Sequence, residues 1–133
     1  MRLVIPGNPV AQGRPRVTKF GTYDPPKSKE YKQYVKRCVM NEKPGEPTKQ
    51  PLAARIDAYM SIPKSKPRKW REDAGMGLIR PTKRPDLSNI VKCIEDALTG
   101  VVWHDDSQIV RLIAIKRYSD YPRVEVTIQE DKV

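Results

Sequence analysis

The sequence is poor in the residues that most often mark a site. Histidine occurs once, at His104, which excludes a multi-histidine zinc centre. Cysteine occurs twice, as Cys38 and Cys93, without metal-ligand spacing. Both fall at helical positions, so buried free thiols are expected in place of a disulfide. No apolar run approaches the length of a membrane span, and the opening residues lack the pattern of a secretory signal. The expected compartment is therefore the cytoplasm, of a bacterium or a phage-infected cell. Only 38% of the 133 residues are hydrophobic. A modest core is expected, with help from a second subunit.

What the chain has instead is charge, unevenly spread. Lys and Arg total 26 against 16 Asp and Glu. Residues 1–84 hold 20 basic and 7 acidic side chains, whereas 85–133 hold 6 and 9. A basic surface around an acidic pocket fits this asymmetry. Nucleic acid is the leading partner, because neutralising phosphates releases counterions. A membrane is not expected as a partner, since no basic amphipathic helix with a wide aromatic face is present.

The length suits one domain, 1–133, of the α+β class. Arg2–Ile5 reads as a strand. Ser28 is placed to cap a helix to about Asn41, with Tyr31, Tyr34, Val35 and Cys38 on one face. Leu52–Ile62 alternates as a strand. Pro63–Arg84 is a basic, potentially mobile loop, with a short helical turn considered around Lys66–Arg71. Asp86 opens a helix to about Leu98, closed by Thr99-Gly100. Ile109–Tyr118 and Arg123–Gln129 read as strands joined by a hairpin turn at Ser119–Pro122. The order β-α-β-α-β-β implies a mixed sheet with helices packed against it.

Carboxylates gather in Asp86 and again in Asp105-Asp106. Each has an ordinary reading on its own, as a helix N-cap and as a polar turn. Together they suggest more. The helix spans roughly 20 Å, and an extended return through Val101–His104 covers roughly 15 Å. On that reading all three acids converge within the chain, and a divalent ion relieves their repulsion. Hard oxygen donors suit Mg²⁺ or Mn²⁺. Lys92 lies one turn beyond Ser88 on the polar helix face, either touching a scissile phosphate or pairing with Asp96. Glu95 shares that face as a further ligand or plain surface, and Asn89 either supports the acids or belongs to the helix's first turn. Arg14, Arg16, Lys69, Arg71, Lys83 and Arg84 are candidate DNA contacts. Trp70 either stacks on a base or packs under its loop, and Trp103 is expected in the core.

Arg84-Pro85-Asp86-Leu87-Ser88-Asn89, Lys92, Asp96-Ala97-Leu98-Thr99-Gly100 and Trp103-His104-Asp105-Asp106-Ser107-Gln108-Ile109 carry a resemblance. So do Ile5-Pro6-Gly7-Asn8-Pro9 and Gly13-Arg14-Pro15-Arg16 near the start. With these residues the chain resembles the RusA family of Holliday junction resolvases, endodeoxyribonucleases of prophages and bacteria. The resemblance implies a homodimer with two active sites, cutting symmetrically related strands of branched DNA with Mg²⁺ or Mn²⁺ in recombination and repair. It maps the metal-binding carboxylates onto Asp86 and Asp106, with Asp105 adjacent, and the essential lysine onto Lys92. Ser88 stands where the best-known form has a second acid. The alternative is therefore a branched-DNA-binding protein with weak or no cleavage. Glu95 or a serine-held water are the possible compensations. A basic structural or RNA-associated protein is the third reading.

Overall fold

A computed structural model of the protein describes residues 1–14 and 16–132, without the side chains of Arg16 and Tyr23. A four-stranded mixed sheet has the order β1-β6-β4-β5. Its strands are β1 (Arg2–Pro6), β4 (Leu52–Ser61), β5 (Ile109–Ser119) and β6 (Arg123–Glu130). β2 (Arg16–Thr18) and β3 (Gly21–Tyr23) form a separate two-stranded hairpin. The helices are α1 (Pro26–Asn41), α2 (Arg68–Gly75) and α3 (Leu87–Leu98).

The core lies between one sheet face and helices α1 and α3. Alternate residues of three strands, including Leu3, Ile5, Ile56, Val124 and Val126, pack against Val35, Val39, Ile94 and Leu98. Trp103 is 1% exposed within this cluster and donates its indole N–H to Thr99 Oγ1. That indole fills the corner below the end of α3, as its apolar neighbours suggest. Burial of side chains this size contributes roughly 1.5–3 kcal/mol each. The other sheet face has no helix layer and is laced by charge. Arg55 and Arg117 pair with Asp57, and Arg2 and Arg123 with Glu125. Among the described residues no helix is long and apolar enough to cross a membrane.

Four expectations are corrected. The hairpin β2–β3 and the helix α2 add to the expected order. Ser28 does not cap α1: the helix begins at Pro26, and the buried Ser28 hydroxyl donates to Pro25 O. A proline's fixed φ suits the first helical turn, so the start falls there. Pro63–Arg84 is not a plain loop, because α2 occupies eight of its residues. Ser119–Pro122 is not a hairpin turn. β5 runs parallel to β4 and β6 antiparallel to it, so the short link steps across the end of β4. The most buried strand takes the centre, where both faces and both edges are satisfied.

Candidate active site

Asp86 occupies the N-cap position of α3, yet its side chain makes no capping hydrogen bond. Its carbonyl accepts from the N–H groups of Asn89 and Ile90, which starts the helix without the carboxylate. The exposed carboxylate stands in a cleft of about 720 Å³ lined by Pro9, Val10, Arg14, Lys27, Arg84 and Asn89, among others. A free acid at a helix N-terminus, flanked by guanidinium groups, is electrostatically welcome there. The loop from the first strand closes one wall. Gln12 N–H donates to Asn89 O, and Gln12 Nε2 to Asp24 Oδ1.

Lys116, which sequence reasoning missed, braces the other wall. From β5 its ammonium donates to Lys83 O at 2.9 Å and Pro85 O at 3.0 Å, fixing the segment that enters Asp86. The available signal was a lysine directly after the apolar run Leu112–Ile115, within the predicted strand. Arg14 and Arg84 line the cleft beside Asp86. Lys69 pairs with Asp73 on α2, and Arg71 is exposed on the same helix. Trp70 packs edge-on against Tyr118 with ring centroids 5.5 Å apart, which seats α2 on β5. The Arg16 side chain lies outside the description.

Asp105 and Asp106 do not reach Asp86. The chain does not return through Val101–His104 but folds tightly at the end of α3, where the N–H groups of Val101 and Val102 both donate to Leu98 O. Asp105 then accepts from Ser107 N–H and caps a 3₁₀ turn, Asp106–Gln108. Gln108 ties that turn to the carbonyls of Thr48 and Gln50. β5, starting at Ile109, makes the return that brings Lys116 to the start of α3. The acids thus sit at opposite ends of a 12-residue helix, roughly 18 Å apart at 1.5 Å per residue. Among the described residues no group of three or more Asp, Glu, His or Cys side chains is placed to hold a metal ion. Within one chain these residues do not fit a divalent cation.

The far end is an acidic patch. Asp24, Asp96, Asp105 and Asp106 line a surface hollow with Lys32, Lys36 and Thr99. Ser107 N–H lowers the Asp105 carboxyl below its ordinary range, whereas the hydrogen bond that protonated Asp106 donates to Asp105 raises that of Asp106. Burial, then the fields of Asp106 and Asp96, push Glu95 up. Glu95 therefore belongs with Asp106, roughly 10 Å along α3 from Ser88. Lys92 is exposed on α3 between the two ends.

The chain matches the family Endodeoxyribonuclease RusA over residues 6–129. It is 42% identical over 136 residues to the uncharacterized protein YqaN of Bacillus subtilis (strain 168), covering 98% of this chain and 96% of that one. It is 34% identical over 99 residues to the crossover junction endodeoxyribonuclease rusA of Lactococcus phage r1t, covering 72% and 69%.

Proposed function

The chain belongs to the RusA family of endodeoxyribonucleases, and on that footing we propose that it resolves four-way DNA junctions by divalent-metal-dependent phosphodiester hydrolysis, acting as a homodimer in recombination and repair. The observation that carries this reading is the free Asp86 carboxylate in an arginine-lined cleft, with its complement at the far end of the same helix. Neither end is a site by itself. Two copies related by a twofold axis would set the acidic end of one beside the basic end of the other.

β5 supplies the axis. It is a free edge of the sheet, 11 residues long. It exposes Val110, Leu112 and Ile113 by 60%, 45% and 49%. A long apolar edge is a template for strand pairing. Antiparallel pairing of β5 with β5 of a second copy aligns the start of one strand with the end of the other. Asp105 and Asp106 precede that start, while Lys116 and the Asp86 cleft flank that end. The shared arrangement would give each copy's cleft the carboxylates it lacks.

Asp86 of one copy, with Asp105 and Asp106 of the other, would hold Mg²⁺ or Mn²⁺. Held there, such an ion would supply an activated water and offset charge on the phosphate. Arg14 and Arg84 hold the DNA backbone in the cleft, and Lys83 adds charge at its rim. Lys92 contributes a cation to the phosphate oxygens. Lys69 and Arg71 extend the basic surface. Selectivity for branched DNA then comes from the dimer's shape, because phosphate contacts position a duplex without reading its sequence.

Purified protein is expected to cut a synthetic four-way junction with Mg²⁺ or Mn²⁺. Asp86→Asn should lower the cleavage rate by at least about 100-fold, roughly 2.7 kcal/mol, with junction affinity nearly unchanged in a mobility-shift titration. Binding that falls in step with cutting would make Asp86 structural. Ser88 favours a second reading, a branched-DNA binder with little cleavage. On that reading the protein retains junctions without product in either metal, and Ser88→Asp restores cutting.

A further inference from the structure

A second feature of the cleft is the hairpin that rises from it. Arg14 lines the cleft at the foot of β2, and Lys27 lines it just beyond β3. At the tip Phe20 is 88% exposed, and Val17 below it is 80% exposed. One exposed apolar side chain needs no explanation, but this one is displayed with care. Phe20 N–H donates to Thr18 Oγ1, which itself donates to Gly21 O, and Gly21 takes φ 124° to close the turn. Gly21 permits that backbone because it has no Cβ. The hairpin is anchored below, where a Cβ on Gly13 would lie 2.8 Å from Pro25 Cγ, so the loop presses on the start of α1.

The segment that carries the ring is basic, and one cation lies over the ring itself. Lys19 Nζ lies 5.2 Å from its centroid. Residues 14–29 contain five basic side chains and one acidic. An exposed aromatic ring on a hydrogen-bonded turn, with a lysine over it, matches a base face lying beside a phosphate, since stacking tolerates any base and the cation takes the backbone. Phe20 lies six residue steps beyond Arg14, so its backbone reaches at most roughly 20 Å from the cleft.

We propose that Phe20 stacks on a base left unstacked at the branch point of the DNA held in the Asp86 cleft, and so sets the preference for branched over linear DNA. The inference rests on the junction-binding reading above, and its test is independent of cleavage. Wild type, Phe20→Ala and Phe20→Trp are titrated, in EDTA, against a four-way junction carrying 2-aminopurine at the branch and against the matching duplex. Phe20→Ala should weaken junction binding by about 10- to 100-fold, leave duplex binding within about twofold, and lose the branch-point fluorescence change. Phe20→Trp should keep both. Unaltered melting and gel-filtration profiles of Phe20→Ala are expected from its exposure. The inference is overturned if Phe20→Ala binds and perturbs the branch as wild type does, or if it loses the dimer, which would assign the ring to the second copy. A wild type that shows no junction preference at all sinks the function reading instead.

Discussion

At the residue scale, the decisive contrast is between acids that look alike in sequence. Asp105 spends its carboxylate on a cap and Asp86 does not, although each precedes a helical turn. An N-terminal helix position stabilises a carboxylate whether or not it caps, so the freedom of Asp86 is compatible with folding. Lys32 shows the opposite economy. Its ammonium lies 2.9 Å from Asp24 and 3.4 Å from Asp96, tying the hairpin's foot to α1 and α3. The hydrogen bond from Lys32 lowers the Asp24 carboxyl below its ordinary value. Burial pulls Lys32 down, but its two carboxylate partners outweigh that and leave it raised. Asp24's contribution is therefore present above the ordinary carboxylate value and fades as pH falls through its lowered folded value. Lys32's is complete below its ordinary value and fades as pH rises through its raised one. Lys32→Met should cost about 1–2 kcal/mol near neutrality, and the gap to wild type in urea melts should shrink at both pH extremes. A gap independent of pH would mean that packing of the stem, not charge, is what Lys32 supplies.

At the element scale, the long periodic segments were legible. Alternation in Leu52–Ile62 and the apolar face of Leu87–Leu98 each specify their element, because burial on one face demands that spacing. The hairpin β2–β3 was not legible: its strands have three residues each and bury little. α2 was half legible, and its Arg68–Glu72 and Lys69–Asp73 pairs at i,i+4 were the overlooked signal. Neighbouring in sequence misled for β5 and β6, since strand order is a property of the whole sheet and not of the three-residue link. The route of the chain past Gly100 also needed tertiary information, because four residues can run extended or fold back with equal propensity. β5 carries its own test. Ile113→Lys places like charges near the proposed twofold and should convert a dimer to monomer by sedimentation, with the monomer's melting changed by less than about 1 kcal/mol. An Ile113→Lys protein that remains dimeric would remove β5 from the interface.

At the scale of the whole molecule, charge is sorted along α3. Arg14, Lys27, Arg84 and Lys116 stand near its start, and Glu95, Asp96, Asp105 and Asp106 near its end. Acids at a helix C-terminus oppose the helix dipole; Lys32 offsets Asp96 there, and the proposed second copy would present further cations and a shared ion. The acids of the candidate site stand out in the sequence, but the spacing expected to bring Asp86, Asp105 and Asp106 together within one chain does not do so. The distribution over two chains proposed for them is not readable there, because a pattern of acids carries no record of which copy they serve. The direct measurement is complementation: Asp86→Asn protein is mixed with Asp106→Asn protein, allowed to exchange subunits, and assayed on a four-way junction. If the site is shared, the mixed dimer holds one site with both acids intact, and nicked product should appear from two preparations that are each inactive. A mixture as inactive as its parts, with subunit exchange verified, would contradict the shared site.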